Sequence, residues 1–356
     1  MPRCRNCARA SSWGALSSCR DDRFVTPAAR ALSHAFQSAT LAPPPAGARA
    51  FFLRAEALPL DWKTEIDAEQ SYKPSHDRLR TAGWSVAPQL HTGQHWPLGL
   101  VLLTKHKEES FANIARGWTL LAPGGRLVCA GANDDGAASL QRHADRALGV
   151  DDSLSKFHCR LFWLTRGERA PPDYWQQLTQ PRFVAEGRWI SQPGLFSWDR
   201  IDDGSTFLVA HLPSDLAGAV ADFGCGWGYL SREVLTRCPG VTRLDLIDAE
   251  HRALEAARRN ITDTRASFHW LDLVAEPAPA LYDAIVCNPP FHAGRAAEPA
   301  LGQGFIEAAA KALKVGGRLF VVANRGLPYE PLLRTRFATV EMLADNNKFR
   351  VWRAVR

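Results

Sequence analysis

No apolar run in the 356 residues approaches the roughly 20 needed to span a bilayer, so the sequence predicts no membrane partner. Nor does the N-terminal stretch hold the apolar core of a secretory signal. Residues 1–26 are Arg- and Ser-rich without apolar periodicity and read as a disordered extension, even as an over-long translation start. Lysine is scarce: of 43 basic residues only 8 are Lys and the rest are Arg. Arg forks to phosphates and stacks on bases, which suits RNA. A GC-rich genome writing Arg and Ala codons would leave the same bias. The eight cysteines show no paired framework. Cys225 and Cys287 sit in apolar strand exits, and Cys129, Cys159 and Cys238 stand alone, as expected of reduced thiols in a cytoplasmic protein. Cys4-x-x-Cys7 with Cys19 lacks a fourth ligand of suitable spacing, so no metal is expected.

What is present describes an ordinary globular chain. A hydrophobic share of 46% against 22% charged residues fits a soluble protein, and the length allows two domains with ordinary cores. A net charge of +6 and a pI near 9.0 lean only weakly toward a polyanionic partner. Nothing in the composition implies an oligomer, and a monomer is expected.

From about Arg49 the pattern alternates strand and helix. Ala50–Leu53 and Gly99–Leu103 read as buried strands by their continuous apolarity. A helix from about Glu108 to Leu121 stops at Pro123-Gly124-Gly125, and Arg126–Ala130 is the next strand. Asp134–Leu148 reads as helix and Phe157–Trp163 as a late strand. The stretch 164–182, with Pro171-Pro172, is the expected boundary between a domain at 27–170 and one at 171–356. Beyond it, Arg182–Ile190 and Gly194–Trp198 resemble a hairpin. Asp202-Asp203-Gly204-Ser205 caps a helix starting near Phe207. Ala219–Phe223, Leu244–Asp248, Ser267–Leu271, Asp283–Cys287 and Arg318–Ala323 continue the strands, with helices Tyr229–Arg237 and His251–Asn260 between them. Val340–Leu343 and Phe349–Ala354 form a closing antiparallel pair.

The halves repeat each other. Leu-x-x-Gly-Gly-Arg-Leu occurs at 121–127 and again at 313–319, each followed by an apolar strand and Ala-Asn. Lys-Phe recurs at 156–157 and 348–349. Two matches in one order indicate duplication. The first half lacks the glycine turn and the tetrad described next, so it reads as a copy that kept the fold and lost the chemistry.

Asp222-x-Gly224-x-Gly226-x-Gly228 follows a strand and opens a helix. Its glycines let the backbone pass close beneath a ligand. A pyrophosphate would want only bare N–H groups there; a cationic amino-acid group also wants a carboxylate, which Asp222 supplies directly or through water. Asp248 ends the next strand, where an acid accepts from two ribose hydroxyls. Asp272, at the third strand end, can receive an adenine amino group. Three acids at successive strand ends describe S-adenosylmethionine. Plain helix capping is the alternative for each.

The second constellation is Asn288-Pro289-Pro290-Phe291 at the end of Ala284–Cys287. Pro289 forces Asn288 into an extended conformation. Two prolines remove two N–H donors, leaving carbonyl acceptors. The Asn288 amide oxygen and the Pro289 carbonyl can then accept both hydrogens of a planar exocyclic amine, while Phe291 offers a stacking face. Such an amine is a poor nucleophile because its lone pair is delocalised. Accepting both hydrogens favours a pyramidal nitrogen and turns that pair outward. Pro290 and His292 border the same site, with packing the plain alternative for His292.

These motifs, with Leu195–Ser205 and Asn288-Pro289-Pro290-Phe291-His292-x-Gly294, make the chain resemble the class I S-adenosylmethionine-dependent methyltransferases. Within them it resembles the ribosomal RNA small subunit methyltransferase C family. The likeness is close over about 180–356 and architectural over about 45–165. It implies two tandem Rossmann-like α/β domains, each a mostly parallel seven-stranded sheet with an antiparallel final strand, the N-terminal copy degenerate. It implies transfer of a methyl group to the N2 amine of a guanine in 16S ribosomal RNA, with ribosomal RNA or the small subunit as partner. Asn288, Pro289 and Phe291 would act on the base. Asp202, Gly204 and Ser205 would close over the cofactor beside Asp222, Gly224, Gly226, Gly228, Asp248 and Asp272. Cys225 and Trp227 depart from the small residues usual in the turn, and Trp227 is expected to narrow the pocket. The same grip would serve a 23S guanine, adenine N6 or a protein glutamine amide. A non-catalytic RNA-binding assembly factor is the reading from another class.

Overall fold

The computed structural model describes residues 25–91, 93–290, 292–293, 296–297 and 299–356. Most of the expected extension, the three cysteines before residue 20, Phe291 and the His292 side chain lie outside the described residues. The first unit runs α1 (Pro27–Gln37), β1 (Ala50–Leu53), β2 (Ile66–Glu69), α2 (Lys73–Thr81), β3 (Ser85–Ala87), β4 (Trp96–Leu102), α3 (Lys107–Leu120), β5 (Leu121–Ala132), α4 (Ala137–Leu148), β6 (Asp152–Lys156), β7 (Cys159–Thr165) and α5 (Asp173–Gln177). The second runs β8 (Arg182–Val184), β9 (Trp189–Ser191), α6 (Asp203–His211), β10 (Gly218–Phe223), α7 (Tyr229–Arg237), β11 (Val241–Asp248), α8 (His251–Asn260), β12 (Ala266–Trp270), β13 (Tyr282–Cys287), β14 (His292–Ala293), β15 (Ala296–Ala297), α9 (Pro299–Ala312), β16 (Leu313–Asn324), α10 (Glu330–Arg336), β17 (Thr339–Asp345) and β18 (Phe349–Val355).

Each unit builds a seven-stranded sheet, ordered β3-β2-β1-β4-β5-β7-β6 and β12-β11-β10-β13-β16-β18-β17. Counted within its own sheet, the second order repeats the first. Strands pair in parallel except β7 and β18, which are antiparallel to both neighbours. Parallel strands need cover on both faces. Successive side chains therefore enter opposite cores: Phe52 joins one cluster and Phe51 the other, as Val286 and Ile285 do in the second sheet.

The repeat extends to register. Trp96 faces Leu121 and Leu98 faces Arg126 across a bulge; Tyr282 faces Leu313 and Ala284 faces Arg318 across another. In both copies the Gly-Gly pair bonds an arginine on the antiparallel strand's exit. Gly124 donates to the Arg166 carbonyl and Arg166 to that of Gly125; Gly316 and Arg356 repeat the exchange with Gly317. Phe223 faces Cys287 and Leu53 faces Val101, so the first copy's counterparts of Gly224 and Asn288 are Arg54 and Leu102. Arg54 keeps a positive φ of 57° although its side chain opposes it.

Several local expectations give way. Phe157 and His158 do not start a strand: at φ 54° and 57° they form the turn between β6 and β7. In the second copy Phe349 does open β18, so the two Lys-Phe pairs occupy different geometry. The hairpin partner of β8 is Trp189–Ser191 rather than Gly194–Trp198. That later stretch instead contains positive φ at Gly194 and Ser197. Helix α6 starts at Asp203, four residues before Phe207, because the Asp202 carboxylate caps the Ser205 N–H at 2.8 Å. Gly136, at φ 83°, splits the expected helix 134–148 into a short 3₁₀ turn and α4. Helix α1 follows from a signal the pattern reading passes over: Thr26 accepts from the Ala29 N–H, and Pro27 sits at the first helical position.

The units are joined by charge as well as by contact. Glu109 on α3 is almost wholly buried and holds Arg54 of its own unit and Arg252 of the second, each at 2.9 Å. Thr104 donates to its other oxygen at 2.9 Å. Gly194 must be glycine here, since a Cβ would fall 2.4 Å from the Glu109 carboxyl carbon. Burial alone raises the Glu109 pKa, but the two guanidiniums and the Thr104 hydroxyl outweigh it and hold it at about 2. A depressed carboxylate pKa stabilises the fold above the unfolded value and loses that contribution as pH falls through the folded one. Glu109→Gln is therefore expected to cost on the order of 3 kcal/mol at pH 7, shrinking to roughly half of that near pH 3. Urea unfolding of both proteins at the two pH values measures the difference.

Candidate active site

The carboxyl ends of β10, β11 and β13 open on a cavity of about 720 Å³, the place where open α/β sheets bind ligands. Gly224, Gly226, Asp248, Asp272, Asn288, Pro289 and Pro290 all line it. A small adjoining cavity of about 40 Å³ is lined by Asp202, Ser205 and again Asn288. Asp222, Gly204 and Gly228 line neither.

Asn288 is held by its nitrogen. Nδ2 donates to Asp202 Oδ2 and to Ser205 Oγ, both at 2.9 Å. Those two acceptors account for both amide hydrogens. Turning the carboxamide over would set its oxygen against a carboxylate, so Oδ1 is fixed as the outward acceptor. The Asp202 carboxylate is itself fixed by the Ser205 N–H. The loop that caps α6 thus orients the residue 86 positions later in the chain. Gly204 serves this loop by packing: its missing Cβ would stand 3.2 Å from the Phe349 ring.

The glycine turn works in three ways. Gly226, at φ 55°, has nothing within 4 Å of where a Cβ would be and so presents bare backbone to the cavity. Gly224, at φ 76°, faces the Phe305 ring, from which a Cβ would stand 3.2 Å away. Gly228, at φ 96°, opens α7 and lies against Ile261, where a Cβ would stand 2.9 Å away. Trp227 does not narrow the main cavity. Its ring is buried beside Trp189 with centroids 5.1 Å apart, and its Nε1 donates to the Phe196 carbonyl at 3.2 Å.

The acids differ in state. Asp222 is fully buried beneath the turn. Its Oδ2 accepts from the Ser231 hydroxyl at 2.6 Å, and its Oδ1 has no hydrogen-bond partner. Burial lifts its pKa to about 7 against the Ser231 hydrogen bond, and the Asp248 charge adds to the rise. Asp248 accepts from the Gly226 and Glu250 N–H groups, both at 2.8 Å. Burial still carries its pKa up to about 6 against those bonds. Asp272 sits two residues beyond β12 and accepts from the Val274 N–H at 3.0 Å. Two carboxyls that resist ionisation, one of them buried with an orphaned oxygen and the other lining the cavity, suit a ligand bringing positive charge and hydroxyl donors. S-adenosylmethionine has both, and the bare Gly226 backbone leaves room for it.

Part of the wall is absent from the motif reading. Helix α9 contributes Leu301 and Phe305, the segment 194–200 contributes Phe196, and the first unit contributes Tyr72, Lys105 and His106. Phe196 is an exposed aromatic at the mouth, 58% accessible. The Leu195–Ser205 stretch carried a signal for the 194–200 segment; the first unit's residues had none in the chain order. All five cysteines among the described residues are buried and free, and no helix there is long and apolar enough to cross a membrane.

Residues 186–353 match the methyltransferase small domain. Ribosomal RNA small subunit methyltransferase C of Shewanella pealeana is 33% identical over 246 residues, spanning 66% of this chain and 70% of that protein. The protein of the same name from Pseudomonas paraeruginosa is 33% identical over 268 residues, spanning 73% and 80%. Among solved structures, the T. thermophilus 16S rRNA N2 methyltransferase RsmC, in complex with AdoMet and guanosine, aligns with a TM-score of 0.76 over 94% of this chain and 92% of that one. At 22% identity that match speaks to the fold, and it covers both seven-stranded units. A third of residues shared along most of the Shewanella and Pseudomonas proteins goes beyond fold: this chain belongs to the ribosomal RNA small subunit methyltransferase C family.

Proposed function

We propose that the protein methylates the N2 amine of a guanine in 16S ribosomal RNA, in the cytoplasm, with S-adenosylmethionine as donor. Its family supports the substrate, and one observation carries the chemistry: the Asn288 carboxamide, tied through its nitrogen, presents a fixed oxygen at the mouth of the glycine turn. When bound, the donor supplies an electrophilic methyl group on a sulfonium. The chain's own task is alignment, the contribution oriented groups make best. Gly224 and Gly226 would bed the amino-acid arm, with Asp222 beneath it, Asp248 would take the ribose hydroxyls, and Asp272 the adenine amine. Asn288 Oδ1 and the Pro289 carbonyl would accept the two N2 hydrogens and hold the nitrogen lone pair toward the methyl carbon. Phe291 is the proposed stacking face for the base, with Pro290 and His292 at its border. The guanine must leave its stack to reach this depth. As the new bond forms the nitrogen turns acidic, and its proton departs through Asn288 Oδ1 or water without a strong base. The first copy, with Leu102 where Asn288 stands and Arg54 where Gly224 stands, would not perform this step.

Asn288→Ala is expected to bind S-adenosylhomocysteine within about threefold of the parent but to lose about 100-fold in kcat/KM on ribosomal RNA, the scale of a misaligned reacting group. Filter assays with labelled donor and separate RNA and protein pools measure both the loss and the substrate class. The pH dependence follows from the acids. Only the ionised carboxylate pairs with an ammonium group and offers both oxygens as strong acceptors to the two ribose hydroxyls. With free-protein pKa values at about 6 and 7, affinity for S-adenosylhomocysteine should rise from pH 5.5 to 8 and then level off. In Asp248→Asn one of the two steps should vanish, and the remaining step, from Asp222, should move to lower pH because the Asp248 charge no longer raises it. Calorimetric titration at fixed ionic strength checks both curves.

A further inference from the structure

Resting on the ribosomal RNA reading above, we infer that the β8–β9 hairpin is a docking arm for unpaired RNA beside the target guanine, with Phe183 as its stacking face and nearby arginines for the phosphates. The hairpin is not needed to complete the fold. It pairs only with itself, and both seven-stranded sheets are complete without it. Its two faces differ. Val184 and Trp189 pair across the strands and are buried. Phe183 and Ile190 form the next pair and point the other way. Phe183 is 69% exposed, the most accessible Phe, Tyr or Trp among the described residues. A ring so exposed adds little to the core. What it offers is a flat face on which a base of any kind can stack.

The arm is fastened to the mouth of the cavity. Asn260 of α8 accepts from the Ile190 N–H at 2.7 Å and donates to the Ile190 carbonyl at 2.8 Å. The same Nδ2 donates to the Trp227 carbonyl at 2.8 Å. Val184 and Trp189 share a small core with Leu195 and Trp227. Trp227 in turn holds the carbonyl of Phe196, the aromatic at the mouth. Hairpin, glycine turn and mouth segment are thus tied to one another, and a strand of RNA whose guanine enters the cavity passes close to the arm.

Charge complements the ring. The hairpin, α7 and α8 together carry seven arginines against three glutamates, a surplus of four in a chain whose net charge is +6. The exposed Arg232 of α7 has its guanidinium 4.4 Å over the Trp189 ring and donates to the Arg188 carbonyl at 3.4 Å, which sets it against the hairpin. The exposed Arg259 of α8 lies three residues beyond Ala256, which packs in the same small core, and so shares its helix face. Arg188 pairs with Glu186 at 3.1 Å, but both side chains are mostly in water, and a phosphate can displace so weak a contact. Forked cations around one bare aromatic ring suit a polymer of phosphates and bases.

The test is steady-state methylation of protein-free 16S ribosomal RNA by the full chain, with S-adenosylhomocysteine titration and urea unfolding alongside. Phe183→Leu keeps an apolar side chain and removes the stacking face. Its KM for the RNA should rise about tenfold, the scale of one base on an aromatic ring. Its kcat, S-adenosylhomocysteine affinity and unfolding midpoint should stay near the parent. Phe183→Trp should restore the parental KM. With Arg188→Gln and Arg259→Gln combined, the fall of log affinity for the RNA with log salt should be shallower by about 1.4, the share of two phosphates on a single strand. A parental KM in Phe183→Leu overturns the inference, as does an unchanged salt slope in the arginine pair. A loss confined to kcat or to S-adenosylhomocysteine affinity also overturns it, since the hairpin would then only brace the glycine turn. A parent chain that labels no RNA overturns the substrate reading, and the arm's role with it.

Discussion

One carboxamide is held by the wrong end for ordinary structural work. Asn288 gives both amide hydrogens to Asp202 and Ser205, and its oxygen is the atom that the proposed function puts to use. A buried amide that merely satisfied itself would use both ends. The rest of the second unit can be understood as support for this orientation. The proline pair stops β13 and removes competing donors. The α6 cap fixes Asp202, and Gly204 lets that cap sit against Phe349.

Around it the protein tolerates unfavourable electrostatics. Asp222 and Asp248 are both hard to ionise where they stand, and Asp222 leaves one oxygen without a partner. Such groups lower the stability of the empty protein at neutral pH. They are what a site for a cationic, hydroxyl-bearing ligand looks like before the ligand arrives. Glu109 shows the opposite design: two guanidiniums make its charge welcome, and the same contact fastens the two units together. Electrostatic cost is concentrated where function is proposed and outweighed at the carboxylate that joins the two units.

Much of this was legible in the amino-acid order. Continuous apolar runs located the central strands, because a parallel sheet is buried on both faces. The Leu-x-x-Gly-Gly-Arg repeat identified the duplication, and its two copies share one bulge and one register. Short strands such as Ile66–Glu69 and Ser85–Ala87 were silent, since three or four residues carry too little alternation. The Lys156-Phe157 turn was misread because a backbone at positive φ leaves no trace in a sequence without glycine. Within the site, residues on strand ends could be found from spacing alone. Gly228, Gly204 and Trp227 could not be assigned their packing roles, because Ile261, Phe349 and Trp189 reach them only through the fold. Tyr72, Lys105 and His106 had no signal at all: the chain brings them to the cavity from another domain.

The central claim concerns where one oxygen points. A crystal of the protein with S-adenosylhomocysteine and guanosine measures it directly. The account predicts the guanine N2 nitrogen at hydrogen-bond distance, about 3 Å, from Asn288 Oδ1, on the side facing the donor sulfur. A guanine bound with N2 turned away from Asn288, or an Asn288 side chain that leaves Asp202 and Ser205 when the base arrives, would contradict it.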